Sequence, residues 1–356
     1  MTTRADMARH LSLSPSSPTK TFILEVHSAD PEEYLRDLAG PQRIEPTEDA
    51  YLFRVYRPEG VFWVDQLDER FWSLHTDMPT RLAFTFLRDQ VEARRGLDWM
   101  WLPSMHLRQV WPGAISRRVR TDFQGYGFIA STAATQDLKV QLSGRDAEAL
   151  LDYISQDQRY RSAVSFDGVQ ILLRDPSLGW VDEGLSRMGR FAVSGDSLEF
   201  HLQFVRAVVQ RYRRLVTMCE RKAISWRPLD EQGGDRGATI EGGPVVIGFS
   251  RSIDDLPSFL EELLAARRPF RLWGVPEIVD GVAEIEAVDL HVGQRLRMDI
   301  GHTWMRIYLE AGCCGNTVAR LISNLQHRFD GALRLVDSEL QSAMEGRDPS
   351  SGPTAN

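Results

Sequence analysis

The hydrophobic and polar positions of this chain follow one order of elements three times. The copies open with apolar runs at residues 22–26, 138–142 and 245–249. In each copy a serine stands seven residues before a hydrophobic residue of a short helical pattern: Ser28 and Leu35, Ser143 and Leu150, Ser252 and Phe259. Self-similarity on this scale indicates tandem structural units. The serines and the acids that follow them, Asp30, Asp146 and Asp254, are interpreted as helix caps.

The remainder of each copy predicts strands followed by a longer helix. Apolar and polar residues alternate at 51–55, 169–173 and 305–309, which is typical of strands with one packed and one wet face. Apolar residues then recur at helical spacing within 84–91, 205–216 and 318–329. We therefore predict an α+β fold of three tandem β-α-β-β-β-(β)-α units, with antiparallel sheets and helices packed on one face. This order of elements resembles the TATA-binding-protein-like topology.

Turn-forming and polar segments predict the boundaries between these units. The predicted parts are a disordered tail at 1–20, repeat unit 1 at 21–114, a basic connector at 115–137, repeat unit 2 at 138–227, a Gly-rich linker at 228–243, repeat unit 3 at 244–340 and a disordered tail at 341–356.

Composition narrows the class of protein. Hydrophobic residues make up 42% of the chain, which is sufficient for a substantial core. We expect no membrane segment, because no apolar run approaches the roughly 20 residues that a span requires. Three cysteines without a disulfide framework fit a reducing compartment, so the sequence predicts a cytoplasmic protein. Positive charge comes almost entirely from arginine, a bias that suggests a bacterial source.

Two groups of arginines are candidates for binding an anion or an acidic partner. Arg206, Arg213 and Arg214 face away from the apolar stripe of the second long helix. The second group lies in the basic connector and consists of Arg117, Arg118 and Arg120. The net charge of −8 disfavours a general nucleic-acid binder, and a solvated helix face is the alternative interpretation of the first group.

Bulky aromatic residues suggest where units or partners meet. Three tryptophans cluster near the end of the first unit: Trp99, Trp101 and Trp111. Tryptophan is favoured where one end of the ring is apolar and the other is wet. We expect these rings at a junction between units or on a surface that contacts a partner.

Adjacent cysteines precede the third long helix in the sequence Gly-Cys-Cys-Gly-Asn-Thr. Cys313 and Cys314 are therefore a candidate thiol or phosphate-binding site, although a helix cap by Asn316 or Thr317 is the preferred interpretation. His291, His302 and Cys313 are spaced eleven residues apart and lack the short paired spacing of structural zinc sites. We predict no metal and no cofactor.

No catalytic motif emerges, since the chain lacks GxSxG, HExxH, GxGxxG and a GK[ST] ending. An enzyme is therefore the less favoured class. We predict a non-catalytic protein-binding or scaffold component of a bacterial multi-protein system, such as phage defence or toxin immunity, with a protein partner or a homo-oligomeric state. The alternative is a nucleic-acid or nucleotide-binding module that uses the arginine-rich helix of unit 2.

Overall fold

A computed structural model describes residues 3–11, 13–28, 30–40, 43–111, 113–129, 135–228 and 238–347. These residues form helices together with antiparallel sheets, which confirms the α+β class. Across these ranges, no helix combines the length and the apolar character needed to cross a bilayer.

The N-terminal segment carries a sheet with two longer helices. Its elements are α1 Arg4–His10, β1 Leu13–Ser14, β2 Ser17–Val26, α2 Pro31–Ala39, β3 Ile44–Pro46, β4 Leu52–Arg57, β5 Gly60–Gln66, β6 Phe71–Thr76, α3 Thr80–Ala93, β7 Leu97–Trp99 and α4 Ser104–Arg108. Asp30 caps α2 as expected, because its side chain accepts hydrogen bonds from the backbone N–H groups of Glu32 and Glu33.

Residues 3–11 and 13–20 differ from the predicted disordered tail. Thr3 and Asp6 form a capping box that starts α1, and Met7 is buried against Trp63 and Leu202. One buried side chain and a local cap therefore order a segment whose Ser- and Pro-rich composition suggested loose chain.

The middle segment contains the longest helix of the described residues. Its elements are β8 Ile115–Gln124, β9 Asp137–Ser143, α5 Ala147–Gln156, α6 Gln158–Arg161, β10 Gly168–Asp175, β11 Gly179–Ser186, β12 Arg190–Gly195, α7 Leu198–Glu220, β13 Ser225–Pro228 and β14 Ala238–Glu241. The predicted connector 115–137 thus contains a strand of the sheet, because β8 pairs with both β9 and β10. Val119, Thr121 and Phe123 point inward, and the charged residues between them, Arg120 and Asp122, concealed this alternation. Residues 130–134 of that segment lie outside the described ranges.

The third segment forms a separate six-stranded sheet. Its elements are β15 Val245–Gly248, α8 Leu256–Leu263, β16 Leu272–Val279, β17 Val282–Asp289, β18 Arg295–Gly301, β19 Trp304–Leu309, α9 Asn316–Arg328, β20 Arg334–Leu335 and α10 Ser338–Met344. The cap of α8 is Asp255 and not the expected Asp254. Residues 341–347 are not the predicted tail, since Met344 is buried, while 348–356 lie outside the described ranges. Residues 229–237 of the predicted linker also lie outside them, and 238–241 form β14.

The predicted order of elements recurs in all three segments, whereas the order of strands within the sheet recurs in two. The first segment has the order β3-β4-β5-β6-β2 and the third has β16-β17-β18-β19-β15, so the opening strand lies beside the last one in both. In the middle segment β9 lies at the sheet edge beside β8, and β2 occupies the place next to β12. The pairing of β2 with β12 joins the first two segments into one continuous sheet.

Helices α7 and α9 lie at the centre of the molecule. The stripe predicted on α7, Val205, Val209, Tyr212 and Val216, is buried. Every residue of α9 from Asn316 to His327 is buried, so this helix is covered on all sides. The two helices approach closely at Gly315, where a Cβ atom would lie 2.0 Å from the carbonyl oxygen of Val216. The loop before α9 is therefore held against the C-terminal half of α7.

Candidate functional site

The arginines predicted on α7 lie on its outer side and partly pair with acids of the first segment. Arg206 Nη2 lies 4.0 Å from Asp65 Oδ2, and Arg213 forms an ion pair with Asp68. Arg206 and Arg213 are both close to half exposed. Arg214 lines two cavities along the same helix.

These two cavities make the outer side of α7 a basic groove, a name used here for the surface formed by both. The first cavity, of about 660 Å³, is lined by Arg213, Arg214, Arg221 and Lys222 together with two acids, Asp337 and Glu339. The second, of about 820 Å³, has four arginines, Arg108, Arg211, Arg214 and Arg347, and no acidic residue among its described lining side chains. The second cavity therefore has the more basic lining, although Arg108 and Arg347 form ion pairs with Asp152 and Glu345 just outside it.

Two of the arginines in the second cavity are held in place by other groups. Arg108 Nη1 donates to Asp152 Oδ1 at 2.8 Å, and Arg211 Nη1 donates to the backbone carbonyl of Gln109 at 2.8 Å. Trp111 forms part of the same wall and packs on Phe204 with ring centroids 5.5 Å apart. Arg108, Arg211 and Trp111 are thus held in place on this wall.

The second predicted arginine group lies on a different surface. Arg117, Arg118 and Arg120 of β8 line a cavity of about 590 Å³ together with Arg190 and Trp180. Arg190 is on the face of the sheet away from α7, because its neighbour Phe191 packs against Phe204 of that helix. Arg120 Nε donates to Asp167 Oδ2 at 2.8 Å. The fold therefore does not bring the two predicted arginine groups together.

Two of the three predicted interface tryptophans lie inside the protein. Trp99 is buried between Phe22 and Phe84, and the Trp101 indole donates to Asp98 Oδ1 at 2.9 Å. The backbone N–H of Trp101 donates to the Tyr212 hydroxyl of α7, which places this ring between the first and middle segments. Trp111 is half-buried against α7. Trp99 and Trp101 are therefore buried, whereas Trp111 also lines the second cavity of the basic groove.

Other aromatic residues, which the sequence analysis did not single out, are exposed. Trp226 of β13 and Ile240 of β14 are cross-strand neighbours and are 70% and 77% exposed. Trp273 and Val275 are also exposed on β16, at the edge of the third sheet. Alternation of apolar and polar residues in a short strand does not show which face packs against the rest of the protein. The exposure of these residues could therefore not be predicted from the sequence.

The two adjacent cysteines have different surroundings. The Cys313 thiol donates to the backbone carbonyl of Arg295 at 3.2 Å. The sulfur of Cys314 lies 3.2 Å from His27 Nε2 and 3.5 Å from Glu25 Oε1. Burial, together with the carboxylate of Glu25, raises the pKa of Cys314 well above its usual range. The free thiol is therefore protonated at neutral pH, which disfavours a nucleophilic cysteine.

The expected cap of α9 is wrong. The N-cap residue is Gly315, and no side chain caps the helix there. Asn316 accepts a hydrogen bond from the Tyr212 hydroxyl, and the Thr317 hydroxyl donates to Asp289 Oδ2 at 2.7 Å. Because α9 is buried on all sides, these two side chains form hydrogen bonds with the neighbouring elements α7 and β17.

Sequence reasoning also missed the group that Cys314 joins. Within the described ranges, the donors of Glu25, His27 and Cys314 all lie within 4.8 Å of one another and could hold a metal ion. The three residues spaced eleven apart, His291, His302 and Cys313, do not form such a group. His302 Nδ1 bonds the Ile253 carbonyl, and the Cys313 thiol donates to the Arg295 carbonyl. Cys314 was a candidate as a thiol, and Glu25 could have been noticed as a charged residue within the apolar run of a central strand.

Comparison with known proteins gives a family. The chain is 26% identical to the uncharacterized protein MJECL33 of Methanocaldococcus jannaschii over 358 aligned residues, which cover 87% of this chain and 84% of that protein. No solved structure matches the chain. Residues 3–343 match the family described as MJECL33-like protein. The chain therefore belongs to the MJECL33-like protein family.

Proposed function

We propose that this protein binds a phosphorylated ligand of nucleotide size in the second cavity of the basic groove. The observation that carries the proposal is the lining of this cavity, which has four arginines and no described acidic side chain in a chain of net charge −8. Its volume of about 820 Å³ falls within the range of small-molecule sites.

The chemistry of the wall supports a phosphate-bearing ligand. A guanidinium group presents a planar fork of donors that matches the oxygens of a phosphate. Arg211 is already fixed by the carbonyl of Gln109, so less conformational entropy is lost when it binds. Trp111 supplies an aromatic ring beside the arginines, and such rings stack on nucleobases.

Reversing charges in this cavity is expected to weaken nucleotide binding. We expect Arg211→Glu and Arg214→Glu each to lower the affinity for ATP or GTP about 10- to 100-fold, because each loses a charge-assisted hydrogen bond. The measurement is isothermal titration at low and high salt, with inorganic triphosphate as a second probe. Affinity of the wild type should fall as salt rises.

The matched control for these variants is Arg306→Glu. Arg306 lies on β19 of the third sheet, away from the residues that line the basic groove, and its guanidinium lies 4.6 Å from the Trp304 ring centroid. This variant should bind as the wild type does. Absence of binding to all three probes, or equal binding by the Arg214 and Arg306 variants, would contradict the proposal.

Protein binding is the second candidate function, and the exposed pair Trp226 and Ile240 favours it. A two-stranded ribbon is only marginally stable in water, so an apolar pair on such a ribbon gains from being covered. We expect a stoichiometric assembly, with itself or with another protein, that Trp226→Ser disrupts. Tyr153→Ser, at an exposed position of α5, is the control. Light scattering that finds a monomer, together with purification from the native host without a stoichiometric partner, would refute this candidate.

A further inference from the structure

We propose that Glu25, His27 and Cys314 form a binding site for a zinc-class divalent metal ion. Glu25 belongs to β2, His27 follows the end of that strand, and Cys314 lies in the loop that α7 holds at the start of α9. The site thus joins the first and third segments through side chains that are nearly 290 residues apart in the chain.

The distances between the three donors match one face of a tetrahedral zinc site. His27 Nε2 lies 3.2 Å from Glu25 Oε1 and 3.2 Å from Cys314 Sγ, and the Sγ to Oε1 distance is 3.5 Å. With zinc–ligand bonds of about 2.0–2.3 Å, neighbouring donors in a tetrahedron lie about 3.3–3.6 Å apart. One ion can therefore reach all three donors with only small movements of the side chains.

Buried polar atoms without hydrogen-bond partners supply an independent argument. Glu25 is fully buried, and no described group forms a hydrogen bond with its Oε2 atom. Buried carboxylate oxygens are normally paired, so this atom indicates a missing cation or donor. Its other oxygen already belongs to the cluster, which places the unsatisfied atom at the proposed site.

His291 adds a second unsatisfied group next to the cluster. Its ring is fully buried, and among the described residues neither ring nitrogen has a hydrogen-bond partner. The ring centroid lies 5.5 Å from that of His27, in an edge-on arrangement. We assign His291 to the outer shell of the site, where it packs against one ligand and shapes the pocket around the ion.

Arg70 explains how the cluster remains stable without an ion. Its Nε atom bonds Glu25, and its Nη2 atom lies 3.3 Å from Cys314 Sγ and 2.7 Å from Glu220 Oε1. When a divalent ion binds, the guanidinium keeps Glu220 and releases Glu25 and Cys314. The Cys314 thiol gives up its proton to solvent at that step, because the ligand form of cysteine is the thiolate.

The donor set selects the class of ion. Mg²⁺ and Ca²⁺ prefer oxygen ligands only, whereas a thiolate with an imidazole and a carboxylate suits Zn²⁺ and its substitute Co²⁺. Three protein ligands leave one coordination position for water or another molecule. His27 and Arg70 are both partly exposed, so this position has a route to solvent.

The test is metal binding by the purified full chain, with Cys313→Ser as the matched control. We expect wild type and Cys313→Ser to bind one equivalent of Zn²⁺ in competition with a chromophoric chelator. Co²⁺ should add a thiolate-to-metal charge-transfer band in both proteins. Cys314→Ser and His27→Gln should lower Zn²⁺ affinity at least about 100-fold and abolish this band, because even outer-shell changes cost about 10- to 100-fold.

The proposal is overturned if wild-type protein takes up neither ion at micromolar concentrations, or if Cys314→Ser and His27→Gln bind both ions as the wild type does. Circular dichroism and a thermal melt show whether each variant is folded. If Cys314→Ser fails to fold, the decision rests on His27→Gln, since His27 lies past the end of its strand and is partly exposed. Arg214→Glu should leave metal affinity unchanged, which separates this site from the nucleotide cavity.

Discussion

Arg320→Met is expected to remove a large fraction of the stability of the protein. The Arg320 guanidinium is fully buried on α9 and bonds two buried carboxylates, Asp98 and Asp289. Its Nε atom donates to the carbonyl of Phe270 at 2.9 Å. Removing one member of such a network leaves buried charges without a partner, which costs about 3–5 kcal/mol. Domains are stable by only about 5–15 kcal/mol, so this loss is a large fraction of the total.

Urea unfolding followed by tryptophan fluorescence measures this effect. Arg297→Met is the control, because Arg297 forms a half-exposed ion pair with Glu284, and such pairs contribute about 0–1 kcal/mol. Adding Asp98→Asn and Asp289→Asn to Arg320→Met should restore part of the stability, since the unpaired charges are then gone. A free energy of unfolding within about 1 kcal/mol of wild type for Arg320→Met alone would show that the network is not structural.

The same network shows which part of the fold could be predicted from the sequence. Apolar periodicity correctly predicted buried stripes on α7 and α9, because apolar residues at helical spacing form a face that packs against the core. The other side of α9 carries polar residues, including Arg320 and Asn324, and periodicity assigns such a side to solvent. It is buried because its partners, Asp98 and Asp289, come from distant segments. The strand β8 was missed for a related reason, since it carries as many arginines as inward-facing residues.

The candidate sites also contain some features that local sequence predicts and others that depend on long-range packing. The arginines of α7 could be predicted, because their position on a helix follows from spacing within 20 residues. The absence of acids from the second cavity depends on how α4 and α10 pack beside α7, and no local pattern contains that information. Likewise, the meeting of Glu25, His27 and Cys314 depends on the contact between the first and third segments. The spacing of residues along the chain therefore predicted helices and strands, whereas contacts between distant segments formed the sites.

Acid is expected to destabilise the protein well above the pH at which carboxylates are protonated. Burial, with Arg211 nearby, lowers the pKa of His106 to about 3, and burial with Arg187 nearby lowers the pKa of His327 to about 3. In the unfolded chain both rings titrate near 6.5. Between these values the unfolded state binds protons that the folded state does not, so stability is complete above pH 6.5 and falls as pH decreases toward 3.

Each histidine contributes about 1.4 kcal/mol per pH unit, so at pH 4.5 the two together cost about 5 kcal/mol relative to pH 7. Urea unfolding at several pH values between 7 and 4.5 measures this slope. His106→Gln removes one of these groups and should reduce the slope by about 1.4 kcal/mol per pH unit, while the other buried histidines with lowered pKa values, His75 and His291 among them, keep their contributions. Leu107→Ala, at the adjacent buried position of α4, should lower stability at every pH and leave the slope unchanged, because it creates a cavity without changing a charge. An unchanged slope in His106→Gln would mean that His106 is protonated in the folded protein, and its burial would then have to be balanced by an acid that faces it.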